Sequence, residues 1–219
     1  MPLLLIIALL SVTGTFVDSA SEKTGCDIMP NNETCSQYGC DQQPCSILCG
    51  QSSPYQRCEQ ICNGSTCNSM VCSSSVNSCL QKCPSGAVCK SFDCGASHCF
   101  QSCSGGDCGT MTCPKNAANC EQTGGSVMVC HSGMCQQRCG SGQKCNMTCS
   151  SSVKQCDQGC EGECFYRCDI EENKCMLDCS RGNCTKLESP TATNGNGTFQ
   201  MGVLVSVVLG FMLAFVVFM

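Results

Sequence analysis

Sulfur dominates what this chain could do chemically, because all 30 of its cysteines lie between Cys26 and Cys184. At that density they either hold metal or form cystines. The closest cysteines always have three residues between them, as in Cys45/Cys49 and Cys58/Cys62, so Cys-x-Cys and Cys-x-x-Cys never occur. Those are the spacings of metallothioneins, zinc ribbons and thioredoxin-type redox sites. Their absence and the even count favour disulfides, with neither a metal site nor a cofactor expected.

Other reactive groups are scarce. His98 and His131 are the only histidines, and neither belongs to a nucleophile or metal motif. A chain braced by cystines leaves no thiolate for attack, so no catalytic residue is assigned and a non-enzyme is expected. Asp157, Glu161, Glu163, Asp169, Glu171, Glu172 and Asp178 make up 7 of the 17 carboxylates. Without EF-hand spacing they read as solvated surface charge and not as a calcium site. The net charge of -5, with no basic cluster, argues against nucleic acid as a partner.

The cysteines sit in a tandem repeat. Cys-x-Gln recurs at Cys58-Glu-Gln60, Cys79-Leu-Gln81, Cys99-Phe-Gln101, Cys120-Glu-Gln122, Cys135-Gln-Gln137 and Cys156-Asp-Gln158. A period of about 20 residues implies stacked units, none able to bury an apolar face alone. The fourth cysteine of each unit follows Met or Phe by two residues, at Met70/Cys72, Phe92/Cys94, Met111/Cys113, Met128/Cys130 and Met147/Cys149. Residues two apart share one face of a strand, so one short strand per unit is expected, stacking on its equivalents. Glycine, serine and proline in the units oppose long helices. The fold class expected is therefore small, disulfide-rich and β-leaning: a short-strand solenoid of cystine-braced units, with little helix outside the apolar termini. A glutamine column could bind a ligand repeatedly, but an internal amide ladder is the simpler reading.

Unit spacing carries further information. Six residues separate Cys72 from Cys79, Cys113 from Cys120 and Cys149 from Cys156, but four separate Cys94 from Cys99 and Cys130 from Cys135. The unit starting at Cys120 lacks its second and third cysteines together, with Gly124 and Gly125 in their place. Losing both partners leaves no orphan thiol. This parity predicts that second and third cysteines bond to each other: Cys62 to Cys67, Cys83 to Cys89, Cys103 to Cys108, and Cys139 to Cys145.

Around the array the chain divides as follows. Residues 1–20 read as a secretory signal peptide built on Leu3 to Leu10, residues 26–49 as an irregular cap, 58–160 as the Cys-x-Gln-x-Cys repeats, and 161–184 as degenerate repeats. Residues 185–200 form a polar linker, and 201–219 an apolar tail. About 19 residues could just span a bilayer as a helix, yet the small residues Asn194-Gly-Asn-Gly197 before the tail fit a GPI signal better, with Asn194 or Gly195 as the attachment residue. The membrane is then a partner, through the tail or the lipid. Five sequons, at Asn32, Asn63, Asn146, Asn183 and Asn196, are candidates for N-glycosylation.

In cysteine density and repetition, Cys26 to Cys184 resembles the cysteine-rich extracellular matrix proteins of cnidarians, including the galaxins of coral skeletal organic matrix. Galaxin repeats carry adjacent Cys-Cys pairs, which this chain lacks, so no functional residue transfers. The resemblance implies a secreted or surface-anchored structural protein of an extracellular, biomineral matrix, with other matrix proteins or a mineral surface as partners. The alternative is a GPI-anchored binding or adhesion module using one face of the array. Either places the chain outside the cell or on the extracellular face of the plasma membrane.

Overall fold

The computed structural model describes residues 21–23, 34–39, 45–50, 56–63 and 66–188. The chain divides into two units, Met1–Leu187 and Glu188–Met219, and of the second only Glu188 is described. The signal peptide, the linker beyond Glu188, the apolar tail, Asn194, Gly195 and the sequons at Asn32 and Asn196 lie outside the described residues.

Strands occupy nearly every unit boundary to boundary. In chain order they are β1 (Ser21–Lys23), β2 (Thr34–Gly39), β3 (Cys45–Cys49), β4 (Arg57–Cys62), β5 (Thr66–Cys72), β6 (Ser78–Cys83), β7 (Val88–Cys94), β8 (His98–Cys103) and β9 (Asp107–Cys113). There follow β10 (Asn119–Thr123), β11 (Val127–Cys130), β12 (Met134–Cys139), β13 (Lys144–Cys149), β14 (Gln155–Cys160), β15 (Glu163–Cys168), β16 (Cys175–Asp178) and β17 (Asn183–Lys186). The only helical turn among the described residues is a 3-10 turn at Glu172–Lys174.

Odd-numbered strands form one nine-stranded sheet and even-numbered strands an eight-stranded one, each in strict alternating chain order. All pairings are parallel. The chain thus winds as a β-solenoid, each coil giving one strand to each sheet. The expectation of one strand per unit is corrected here to two. The Cys-x-Gln-x-Cys segment is itself extended, and its inward residues follow the period of two, as the alternating burial of β6 and β12 shows.

Register follows residue type. Cys58, Cys79, Cys99, Cys120, Cys135, Cys156 and Cys175 align down one column of the eight-stranded sheet. On the facing sheet Ile47, Met70, Phe92, Met111, Met128, Met147 and Tyr166 form another. A one-residue slip would turn each such column to solvent, so the buried pattern fixes the register. The region expected as a cap joins the same columns: Cys35 aligns with Cys58, Gln37 with Gln60, and Cys49 with Cys72.

The corners are tight turns, recurring where serine, proline and glycine cluster. Val76 N–H bonds to Ser73 O at 3.2 Å, Ala117 to Pro114 at 3.2 Å, and Val153 to Ser150 at 3.1 Å. The fourth residue of each turn points inward, which is why Val76, Ala117 and Val153 are buried. Where the linker is two residues shorter, Ala96 and Ser132 fill that space instead.

Candidate functional site

Each coil has two corners, and each corner with two cysteines is closed by a disulfide within that coil. Cys62 is bonded to Cys67, Cys83 to Cys89, Cys103 to Cys108, and Cys139 to Cys145. These are the four pairs that parity predicts. Cys160–Cys164 and Cys179–Cys184 continue that corner. At the other corner Cys49–Cys58, Cys72–Cys79, Cys94–Cys99, Cys113–Cys120, Cys130–Cys135, Cys149–Cys156 and Cys168–Cys175 close the path into the next coil. The alternation of six- and four-residue linkers is thus an alternation in the size of these rings. Among the described residues no cysteine is free.

The coil starting at Cys120 closes its bare corner with glycine. Gly124, at φ +80°, occupies the left-handed region, and a Cβ on it would strike the Cys103 carbonyl. A Cβ on Gly125 would lie 2.9 Å from the Met111 sulfur. Without a cystine to fill the corner, the backbone itself moves in against the methionine column.

Stacking brings sulfurs of neighbouring coils together. Those of Cys83, Cys89 and Cys108 lie within 4.8 Å of one another, as do those of Cys156, Cys168 and Cys175. Every one of these sulfurs is in a disulfide, so neither cluster offers the thiolates that a metal requires.

Between the two cystine columns runs the glutamine ladder. Gln37, Gln60, Gln81, Gln101, Gln122, Gln137 and Gln158 are all buried. Each Nε2 donates to the Oε1 of the preceding rung, at 3.0 Å for Gln60 to Gln37, 2.9 Å for Gln81 to Gln60, and 2.8 Å for Gln137 to Gln122. The same amides reach across the core to carbonyls of the facing sheet, as Gln60 does to Ile47 at 3.0 Å and Gln81 to Met70 at 2.7 Å. The column joins coil to coil and sheet to sheet, and exposes nothing to a ligand. Burial without these partners would cost several kcal/mol per amide. The ladder ends at Gln158, whose Oε1 is buried without a partner, because Leu177 occupies the next position.

Five of the seven carboxylates of the acidic cluster are in ion pairs. Arg138 holds Asp157 through two nitrogens at 2.9 and 2.6 Å, and its guanidinium is pushed further toward the charged form by that hydrogen bond. Lys144 pairs with Glu163 at 2.9 Å, Arg167 with Asp169 at 3.2 Å, Lys174 with Glu171 at 2.8 Å, and Arg181 with Glu161 at 3.5 Å. The Ser180 backbone N–H holds the Asp178 carboxyl below its usual range. His98 accepts a bond from Asn119 Nδ2 at 3.0 Å on one side and stands in register with Ser78 on the other.

Of the sequons described, Asn63 is exposed at the turn after β4 and Asn183 is exposed on β17. Asn146 is half-buried within β13. Sequence reasoning misses three things. Cys35-Ser-Gln37 is a seventh rung, legible in retrospect from its Cys-x-Gln spelling. The solvent face of the eight-stranded sheet carries a groove of about 300 Å³ lined by Phe100, Met134 and Met176, with Glu121 and Asp157 beside them. The outer face of the other sheet is unremarked because its residues lie between the cysteines and repeat no single type.

Together the two parallel sheets, the cystine corners and the buried amide ladder define a disulfide-braced β-solenoid, a class of chain built for rigidity. Comparison with protein-family models, curated proteins and solved structures gives no match.

Proposed function

We propose that this chain is a structural protein of the extracellular space, tethered to the outer face of the plasma membrane by a GPI lipid or an apolar span, and that it serves a galaxin-like, mineral-associated matrix. A cystine-braced repeat solenoid suits a structural, extracellular protein. One observation carries the reading. The groups that could react or bind are used up inside the array: among the described residues every cysteine is in a cystine, from Cys49 onward one that closes a corner, and the glutamine amides join coil to coil. Disulfides of this number need an oxidising compartment. A cross-linked array resists proteolysis because local opening within any coil is restricted by its own corners. No catalytic role is proposed. A glycan on Asn63, at the turn after β4, would project from the coils without disturbing them.

The competing reading is an adhesion or binding module, supported by the groove at Phe100, Met134 and Met176. Antibodies to the repeats separate the two. Recovery of the native protein from insoluble matrix or mineral supports the structural role. Presence on cells alone supports adhesion, and release by phosphatidylinositol-specific phospholipase identifies the tail as a GPI signal.

A further inference from the structure

The outer face of the nine-stranded sheet carries mostly small side chains, with Phe165 in its middle column under the Lys144 ammonium at 5.2 Å. Down its middle and last columns, Ser69, Ser91, Thr110, Val127 and Val71, Thr112, Val129, Thr148 stand in register. From β3 to β15 six charged residues are set into it, and their order along the coils is not random. Lys90, Asp93 and Asp107 lie on β7 and β9, while Lys144, Glu163 and Arg167 lie on β13 and β15. β11, between the two groups, carries Val127 and Val129 outward and no charge. Lys90, Asp93 and Asp107 have no ion pair among the described residues, while Lys144 and Glu163 pair with each other at 2.9 Å and Arg167 pairs with Asp169 at 3.2 Å, so contacts with a second copy would extend these pairs.

We infer that this face pairs with the same face of a second copy of the chain, about a two-fold axis running along β11. That operation leaves position along the strand unchanged and reverses coil order, so β9 faces the β13 of the second copy and β7 faces its β15. Asp107 opens β9 and Lys144 opens β13, each just before its strand's first cysteine, and Asp93 and Arg167 share the last column. Asp107 therefore meets Lys144 of the other copy, Asp93 meets Arg167, and Lys90 comes within reach of Glu163. Val127 and Val129 meet their own equivalents at the centre. No like charges face each other. Centring the axis on β13 would set Lys144 against itself, and an axis parallel to the solenoid would leave Asp107 and Lys144 facing threonines. Isologous contacts of this kind are the commonest route to closed dimers. At about 4.8 Å per strand and 3.3 Å per residue, the seven strands from β5 to β17 offer roughly 34 by 20 Å, or about 1,300 Å² over both copies, within the range of specific interfaces.

The test is sedimentation equilibrium of the full oxidised chain, secreted from eukaryotic cells and kept in detergent. The expected result is a dimer that Asp107→Lys weakens at least about tenfold, since like charges then meet. Adding Lys144→Asp to that variant should restore it, and Asp93→Arg with Arg167→Asp should repeat the pattern at the other end of the face. A chain that stays monomeric at about 100 µM overturns the inference, as do single reversals without effect or double reversals without rescue. Asn146 and Asn183 both lie on this face, so a glycan found on either of them in the native protein also overturns it.

Discussion

Replacing Gln101 by leucine removes a rung from the middle of the ladder without changing much volume. Gln101 donates to Gln81 Oε1 at 2.9 Å and to the Thr112 carbonyl at 3.2 Å, and accepts from Gln122 Nε2 at 2.9 Å. Gln101→Leu strips Gln81 Oε1 of its donor, and leaves Gln122 only the 3.4 Å contact to Val129 O. Two buried groups left short of partners cost about 1–3 kcal/mol each, offset in part by the apolar side chain, for a net loss of about 2–4 kcal/mol. Gln158→Leu is the internal control. Gln158 Oε1 already lacks a partner, so this change orphans only Gln137 Oε1 and should cost about half as much. Leu177→Gln should do the reverse, giving Gln158 its donor and adding about 1 kcal/mol. Guanidinium unfolding of the oxidised protein, followed by far-ultraviolet circular dichroism, reads all three as shifts in midpoint. Equal losses at Gln101 and Gln158, or no loss at Gln101, would refute the ladder as a continuous hydrogen-bonded element.

Three further outcomes are expected. Cys103→Ser with Cys108→Ser recreates the bare corner of the Cys120 coil, and should lower stability by about 2 kcal/mol, the entropic value for so short a ring, in the same unfolding assay. Gly109→Ala should shift the midpoint far more than a surface change, because its Cβ would run into the Lys90 carbonyl of the coil before it. The Asp178 carboxyl titrates lower in the folded chain than in the unfolded one, so its contribution is complete above the ordinary carboxylate range and is lost as pH falls through its folded value. The protection factor of the Ser180 amide, corrected for the intrinsic exchange rate at each pH, should therefore fall in acid, while amides of the central coils keep theirs.

The solenoid was legible in the sequence because one residue type repeats at fixed intervals on the buried face. Cys-x-Gln spells inward, outward, inward, and Met-x-Cys spells the same on the other side of the coil. The second strand was harder to see, since Cys58/Cys62 fits a helix face as well as the first and fifth positions of a strand; only the partner across the core decides. Disulfide pairing was legible at one corner, where the Cys120 coil lacks two cysteines together. At the other corner nothing is missing, and in-register neighbours such as Cys58 and Cys79 sit one strand spacing apart, about 4.8 Å, closer than the 6.3 Å between the Cα atoms of bonded Cys72 and Cys79. Proximity alone does not choose between pairing within a coil and pairing along the stack. The outer faces were not legible, because solvent imposes no periodic demand on Phe100, Met134 or Asp93.

The account depends most on cystines that close corners and do not lace coils together. Protein purified without reductant, with its thiols blocked, and digested for mass spectrometry would report the bonds directly. The expected map holds every bond among the described cysteines from Cys49 onward within nine residues of sequence, with Cys62–Cys67, Cys72–Cys79, Cys94–Cys99 and Cys139–Cys145 among them. Bonds along the stack, such as Cys58 to Cys79 or Cys156 to Cys175, would contradict it.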